Sequence, residues 1–382
     1  MLKFRTNILF SFFLCFISSL TFSQEKKQNF IVRYINKFTK DSTEKSKPQF
    51  LIYPTVAYAP ETKWEFGLSS VFVGYAKGDT NNRLSEINAF AFVTTESQYG
   101  AYIEHALHSD KNTWFFLGKL KTQSFPLSYY GIGHNTSKDK LATVEAFSFN
   151  WKERVLRKVW KDFFVGIELD FQSLSRVNFK PYTTDVSLLQ PTGYTGSNNL
   201  GVGFGLLYDN RHNVLNVRHG LFAETALLNY RKGLGSINNF STVFTDFRYF
   251  HPIRKRNVLA IQSVGQFTFG DAPFNQYALL GGEMMMRGYY LGRFRDRNYI
   301  SFQTEYRMLP LSFAKKFGCA VFASTGMIYD EISTITSKHI KYAAGAGIHY
   351  LLFPRKDVWT RIDFAVNNEG GTGFYFFMGC AF

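Results

Sequence analysis

From Pro48 to Phe382 the sequence alternates. Short runs place apolar and polar residues at successive positions, and Gly, Asn, Asp, Lys and Pro separate the runs. In the clearest, Phe163 to Ser173, Val165, Ile167, Leu169 and Phe171 point one way and Gly166, Glu168, Asp170 and Gln172 the other. A period of two with one apolar and one polar face is a β-strand between two different surroundings. A soluble sandwich and a membrane barrel both produce this pattern. Three features favour the barrel: there is no long helical spacing, aromatics make up 18% of residues, and the runs, roughly 10 to 14 residues each, cross a bilayer when tilted.

The runs fall at 49–60, 66–77, 84–96, 98–109, 113–125, 142–156, 163–174, 199–210, 220–231, 240–252, 257–270, 298–308, 317–328, 341–352, 358–366 and 373–382. The fold class is therefore all-β, a transmembrane antiparallel barrel of about sixteen strands, an even number as in bacterial barrels.

Residues Met1 to Ser23 look like an export signal. Lys3 and Arg5 precede an apolar run from Ile8 to Leu20, and Ser23-Gln24 offers a cleavage point. The run is short for a membrane-spanning helix, and no small residues precede Cys15 as a lipid anchor would need. Lys3 and Arg5 are the only charges there, so cleavage leaves 42 basic against 29 acidic residues. On a soluble protein that excess suggests nucleic acid; behind an export signal it suits barrel loops and lumen beside anionic lipid, with no nucleic-acid partner. Residues 24–47 form a short segment with helical spacing at Phe30, Ile31, Tyr34, Ile35 and Phe38. It is too short for an independent domain, which usually needs more than about 40 residues.

The most distinctive stretch is Leu280 to Pro310, LGGEMMMRGYYLGRFRDRNYISFQTEYRMLP. Its second part alternates, with Ile300, Phe302, Thr304, Tyr306 and Met308 on one side and Ser301, Gln303, Glu305 and Arg307 on the other. Before it lies a long Gly- and Arg-rich loop centred on Arg287-Gly288-Tyr289, of the length that is functional or disordered. This loop, with the strand ending Glu-Tyr-Arg and a Pro, resembles the bacterial surface antigen barrels, the BamA- and TamA-like superfamily of insertases and two-partner secretion transporters. The stretch Tyr208-Asp209-Asn210-Arg211 to His219-Gly220 is similar to a hairpin of that family, as are Pro54 to Gly67 and Tyr129 to Gly133 in style. The last ten residues, GFYFFMGCAF, set Phe374, Phe376, Met378, Cys380 and Phe382 on one face and resemble the signal by which outer-membrane barrels are recognised for assembly.

The resemblance implies that the loop enters the lumen and that Arg287 docks on an acidic wall. The alternation aims Glu305 inward as its partner, Gly288 permits the turn and Tyr289 packs on the wall. The family's second acid, in a Phe-x-Asp-x-Gly motif, is replaced here: Phe322 to Gly326 carries Ser324, which cannot neutralise an arginine. Asp330 is the nearest substitute in the sequence. The other reading of the loop is a surface loop with an arginine cluster. The resemblance also implies a member without POTRA domains, since residues 24–47 leave no room for one.

No catalytic motif is present. Gly201 to Gly205 lies inside a strand without dinucleotide spacing, and His105 and His108, three apart, point to opposite faces of a strand and form no metal pair. Cys319 and Cys380 fall on lipid-facing positions and read as small apolar residues. No enzyme, cofactor or metal is expected. What remains is a barrel of a Gram-negative outer membrane, embedded in its lipids and inserted by the barrel assembly machinery. It would act in protein insertion, translocation or assembly with an unidentified periplasmic or lipoprotein partner. The alternatives are a solute pore and a membrane anchor for a surface complex.

Overall fold

The computed structural model describes residues 47–185, 189–211, 216–254, 256–353 and 357–382. The export signal expected at 1–23 and the helix expected around Phe30 to Phe38 lie outside them.

The described chain is strand after strand, the wall strands each antiparallel to their neighbours: β1 (Gln49–Ala59), β2 (Lys63–Tyr75), β3 (Leu84–Thr94), β4 (Tyr99–His108), β5 (Trp114–Ser124), the short β6 (Leu127–Tyr129), which continues the direction of β5, and β7 (Ala142–Trp160). There follow β8 (Phe163–Pro181), β9 (Ser197–Asp209), β10 (Gly220–Tyr230), β11 (Phe240–Arg254) and β12 (Asn257–Gly270). After a short hairpin of β13 (Ala278–Leu280) and β14 (Phe294–Asp296) come β15 (Asn298–Met308), β16 (Phe317–Tyr329), β17 (Lys341–Phe353), β18 (Val358–Asn367) and β19 (Thr372–Met378). All but β6, β13 and β14 traverse the wall, giving sixteen, and β19 pairs back onto β1 to close the barrel. Closure removes the free sheet edges that a bilayer does not tolerate.

The alternation expected in each strand appears as two faces. Outside, Phe66, Phe204, Ile348 and Phe364 are exposed, as lipid-facing residues are; inside, Glu168, Asp246, Gln262, Gln303 and Arg361 are buried. The inner wall is hydrogen-bonded side chain to side chain. Gln303 Nε2 donates to Gln262 Oε1 at 2.7 Å, and Gln262 Nε2 donates to Asp246 Oδ1 at 2.9 Å. Strands β7 and β8 run 19 residues each, longer than their alternation suggests, and extend past the wall beside β6.

The closing seam is thin. Its register is a single pair, Tyr58 opposite Phe376, whereas β18 and β19 are matched from Thr360–Met378 through Val366–Thr372. Aromatic edges help: Tyr58 meets Phe374 across the seam with ring centroids 5.5 Å apart.

The C-terminal residues depart from the expected lipid face. The strand ends at Met378, and Gly379 takes φ +96°, a left-handed conformation that glycine adopts without steric cost. Phe374 is exposed to lipid, and Phe376 and Met378 are half-buried, but Phe382 is tucked inside against Val217, Phe250, Val258 and Ala260. Cys380 likewise lies beyond the strand, while Cys319 keeps its outward position on β16. The alternation read across Gly379 fails because one left-handed residue redirects the chain.

Candidate functional site: the arginine-tipped inner loop

The connection from β12 to β15, residues 271–297, folds into the barrel. Two features hold it there. The hairpin β13–β14 gives it a backbone of its own, and an apolar cluster of Leu280, Met286, Tyr289, Phe294, Tyr299 and Ile328 fixes it to the wall. Glycines make the close approach possible. Gly288 has φ +106°, and a Cβ on it would come within 3.2 Å of the Val366 backbone. Its N–H donates to the Tyr375 hydroxyl at 2.9 Å, and its carbonyl accepts from Asn367 Nδ2 at 2.7 Å.

At the tip, Arg287 is 1% exposed. Its Nη2 donates to Glu305 Oε2 at 2.5 Å and its Nη1 to Asp363 Oδ2 at 2.7 Å. The guanidinium lies over the Phe322 ring, 3.4 Å from the centroid. Each carboxylate has a second arginine. Arg307 Nε donates to Glu305 Oε1 at 2.7 Å, and Arg361 pairs with Asp363. The cluster thus holds three guanidiniums and two carboxylates, all buried, with net charge +1. Charge-assisted bonds of this kind are about twice as strong as neutral ones, and burial makes the loss of any one partner costly. Arg307 Nη2 also donates to the Phe382 backbone oxygen at 2.9 Å, joining the hooked tail to the same cluster.

The sequence-derived residues divide. Arg287, Gly288, Tyr289 and Glu305 come together, and the Tyr289 hydroxyl donates to Asn368 Oδ1 at 2.5 Å. Asp330 does not substitute for a wall acid: it is exposed and meets Arg297 Nε at 3.3 Å. Ser324 is inward and buried, but its hydroxyl lies 3.4 Å from the Ala343 carbonyl, to which it donates. The second carboxylate is Asp363, two strands further along the wall, which motif-based reasoning missed. Its signal was available, because in β18 Trp359, Arg361, Asp363 and Ala365 alternate with Thr360, Ile362, Phe364 and Val366, so an acid faced inward. The Phe and Gly of the altered motif keep physical roles. Phe322 carries Arg287, and Gly326 leaves room for Met286, whose sulfur is 3.3 Å from where a Cβ would stand.

Further along, the loop grips the far side of the seam. Leu291 N–H donates to Glu61 Oε1, in the turn between β1 and β2, at 2.5 Å. Burial pushes the Glu61 carboxyl up to about 7, against the opposing pull of that backbone hydrogen bond. Arg293 Nη1 donates to Thr136 Oγ1 at 2.8 Å, Gly133 N–H donates to the Arg295 carbonyl at 2.8 Å, and Arg361 Nη2 donates to the Glu283 carbonyl at 3.1 Å. The loop therefore touches β1–β2, β5–β7, β15, β16, β18 and β19. Among the described residues no cluster of His, Cys, Asp or Glu is arranged to hold a metal ion.

A closed sixteen-strand barrel with an arginine-tipped loop docked on the acids of its inner wall defines a class of transmembrane barrel. The Omp85 superfamily domain matches residues 80–382, and the chain belongs to the Omp85 superfamily. Its fold is similar to BamA from Haemophilus ducreyi lacking POTRA domains 1–3, at 12% identity, covering 87% of this chain and 70% of that one with a TM-score of 0.57. It is also similar to CdiB from Acinetobacter baumannii, at 10% identity, covering 86% of this chain and 59% of that one with a TM-score of 0.56. CdiB from Escherichia coli, at 11% identity, covers 91% of this chain and 70% of its own with a TM-score of 0.53. No curated protein matches the chain by sequence.

Proposed function

We propose that this barrel works in the outer membrane of a Gram-negative bacterium in the insertion or translocation of proteins, together with a separate periplasmic or lipoprotein partner. In this reading it follows an export signal and is itself inserted by the barrel assembly machinery. The observation that carries the proposal is the loop's grip on both sides of a one-pair seam. Gly288 holds β19 through Tyr375, and Leu291 holds the β1–β2 turn through Glu61. A seam this short opens at low cost when the loop releases it, and a strand of a client protein can then pair with the freed edge of β1. The inner loop acts as the brace, and Arg287 with Glu305 and Asp363 is its lock.

The test joins the seam covalently. Tyr58 and Phe376 face each other as a pair, so Tyr58→Cys with Phe376→Cys, in a chain with Cys319 and Cys380 replaced by Ser, should form a disulfide that blocks client transfer and is relieved by reductant. Clients and partner come from affinity purification out of native outer membranes. In planar bilayers the loop-filled barrel should conduct weakly and flicker. A large, stable, solute-selective conductance, or full client transfer through the oxidised seam, would overturn the proposal in favour of a pore.

A further inference from the structure

Two histidines join opposite sides of the barrel mouth above the inner loop. His134 lies between β6 and β7, and His339 between β16 and β17. These connections follow the fifth and the thirteenth of the sixteen wall strands, so half the circumference separates them. The imidazole rings nevertheless stack, with centroids 3.4 Å apart and planes 26° from parallel. His339 is buried and His134 half-buried. The Thr336 amide donates to His339 Nδ1 at 3.1 Å, which leaves that nitrogen without a proton. The charges facing the stack are cationic: Lys338, beside His339, and Lys341 at the start of β17. The carboxylate beyond them, Glu369 of the β18–β19 turn, is already engaged by Lys341 at 2.7 Å and by Arg293 of the inner loop at 3.4 Å. On the His134 segment itself, Lys138, Asp139 and Lys140 are exposed to solvent. The same segment carries Thr136, whose hydroxyl accepts from Arg293 Nη1.

We infer that this stack is an acid-released clasp over the inner loop, closed by two neutral imidazoles and opened when His134 takes up a proton. Neutral rings stack with no charge between them. A proton on His134 adds a third positive charge beside Lys338 and Lys341, in a place partly shut off from water. Burial, and then His339 and the two lysines, hold the His134 imidazole below its ordinary value. With the clasp open the ring meets water and titrates near the usual value of about 6.5. The closed state therefore binds fewer protons than the open one. It is fully favoured above about pH 6.5 and loses ground below it, by up to tenfold per pH unit until the closed form itself protonates. Opening parts the two connections and draws Thr136 away from Arg293, so one of the inner loop's holds on the far wall goes with it. Histidine is the side chain whose charge ordinarily changes in this range, and here it makes the mouth sensitive to acid whatever the barrel handles.

The test measures the gap between the two connections. In a chain with its native cysteines replaced by Ser, spin labels go on Ile132→Cys and Ile332→Cys, exposed positions on either side of the stack. In lipid nanodiscs at about pH 8, pulsed electron resonance should give one narrow distance. As pH falls below about 6.5 a longer distance should grow in, by up to tenfold per unit, and vanish when the pH is restored. His134→Phe keeps a ring on His339 but takes no proton, and should hold the narrow distance at about pH 5. Lys338→Gln removes a facing charge and should leave less of the long distance at about pH 5 than the parent shows. Carbon-13 resonance of labelled histidine reads His134 directly, and its midpoint in the labelled parent should lie below about 6.5. An unchanged distance in the parent, a pH response that survives His134→Phe, or a Lys338→Gln variant that opens as much as the parent would each overturn the inference. A His134 midpoint at or above about 6.5 would do so even where the Phe variant fails to close.

Discussion

Replacing Glu305 should do more damage than replacing Arg287, although the two form one ion pair. The difference lies in what each leaves behind. Without Arg287, Glu305 still has Arg307 and Asp363 still has Arg361, and the cluster becomes neutral. Without Glu305, three guanidiniums share Asp363 alone, Arg307 keeps only the Phe382 oxygen, and the net charge rises to +2. Breaking a buried pair so that a charge is uncompensated costs about 3–5 kcal/mol. Removing a charged partner while the other remains paired is closer to a lost charge-assisted hydrogen bond, about 1.5–3 kcal/mol. Glu305→Gln should therefore loosen the loop by about 4 kcal/mol and Arg287→Gln by about 2, and the double variant should resemble Glu305→Gln alone. The assay is hydrogen exchange in lipid nanodiscs, read at peptides covering 284–297, where the Gly288 and Leu291 amides are held. At 1.4 kcal/mol per tenfold, protection should fall by roughly thirtyfold for Arg287→Gln and by several hundredfold for Glu305→Gln. Equal losses, or a larger loss for Arg287→Gln, would refute the idea that the shared carboxylate is the centre of the cluster.

Other outcomes follow from the same contacts. With the loop docked, burial holds the Glu61 carboxyl up to about 7, above the 4.5 of an ordinary glutamate, so to the extent that the loop supplies this burial the docked state holds the proton more tightly. Docking should be strongest below about pH 4.5 and weaken as pH rises through 7, by at most about 3 kcal/mol; exchange at Leu291 should follow this curve, and Glu61→Gln should flatten it. Phe382→Ala empties a buried site beside Phe250 and should cost about 3–5 kcal/mol, lowering the heat-modifiable barrel in membranes, whereas Phe374→Ala on the lipid face should change its level little. Gly288→Ala forces a side chain into a left-handed backbone against Val366 and should raise exchange across 284–297 without altering heat-modifiability. Ser324→Asp adds a carboxylate to the inner wall two residues from Phe322, beside a cluster of net charge +1, and should tighten the loop; faster exchange in this variant would count against that.

How far the sequence reached depended on whether a residue lay inside a regular strand. In β15, alternation alone put Ser301, Gln303, Glu305 and Arg307 on the inner wall, and they are there. The same rule applied to β18 would have found Asp363, but the family motif drew the search for a second acid to Ser324 and Asp330. Motifs locate positions along a chain, whereas the wall presents any inward residue on neighbouring strands at equal height. Where the backbone leaves the strand, alternation has no force, so the hook at Gly379 and the β13–β14 hairpin went unread. The full extent of β7 and β8 was also missed, because beyond the membrane their faces no longer meet two different solvents.

The wiring of the inner loop has a consequence for the order in which the barrel forms. The tip's partners come late in the chain: Glu305 is 18 residues from Arg287, Asp363 is 76 away, and Tyr375 is 87 from Gly288. The contacts to Ser128, Thr136 and Glu61 reach back 162, 157 and 230 residues. Loop-closure entropy grows with chain separation, so near contacts form before far ones. The C-terminal strands can therefore gather around the arginine tip as a half-built wall with its plug already seated. The first strands then arrive at a surface that is pre-shaped for them, and Glu61 is the last clasp to close.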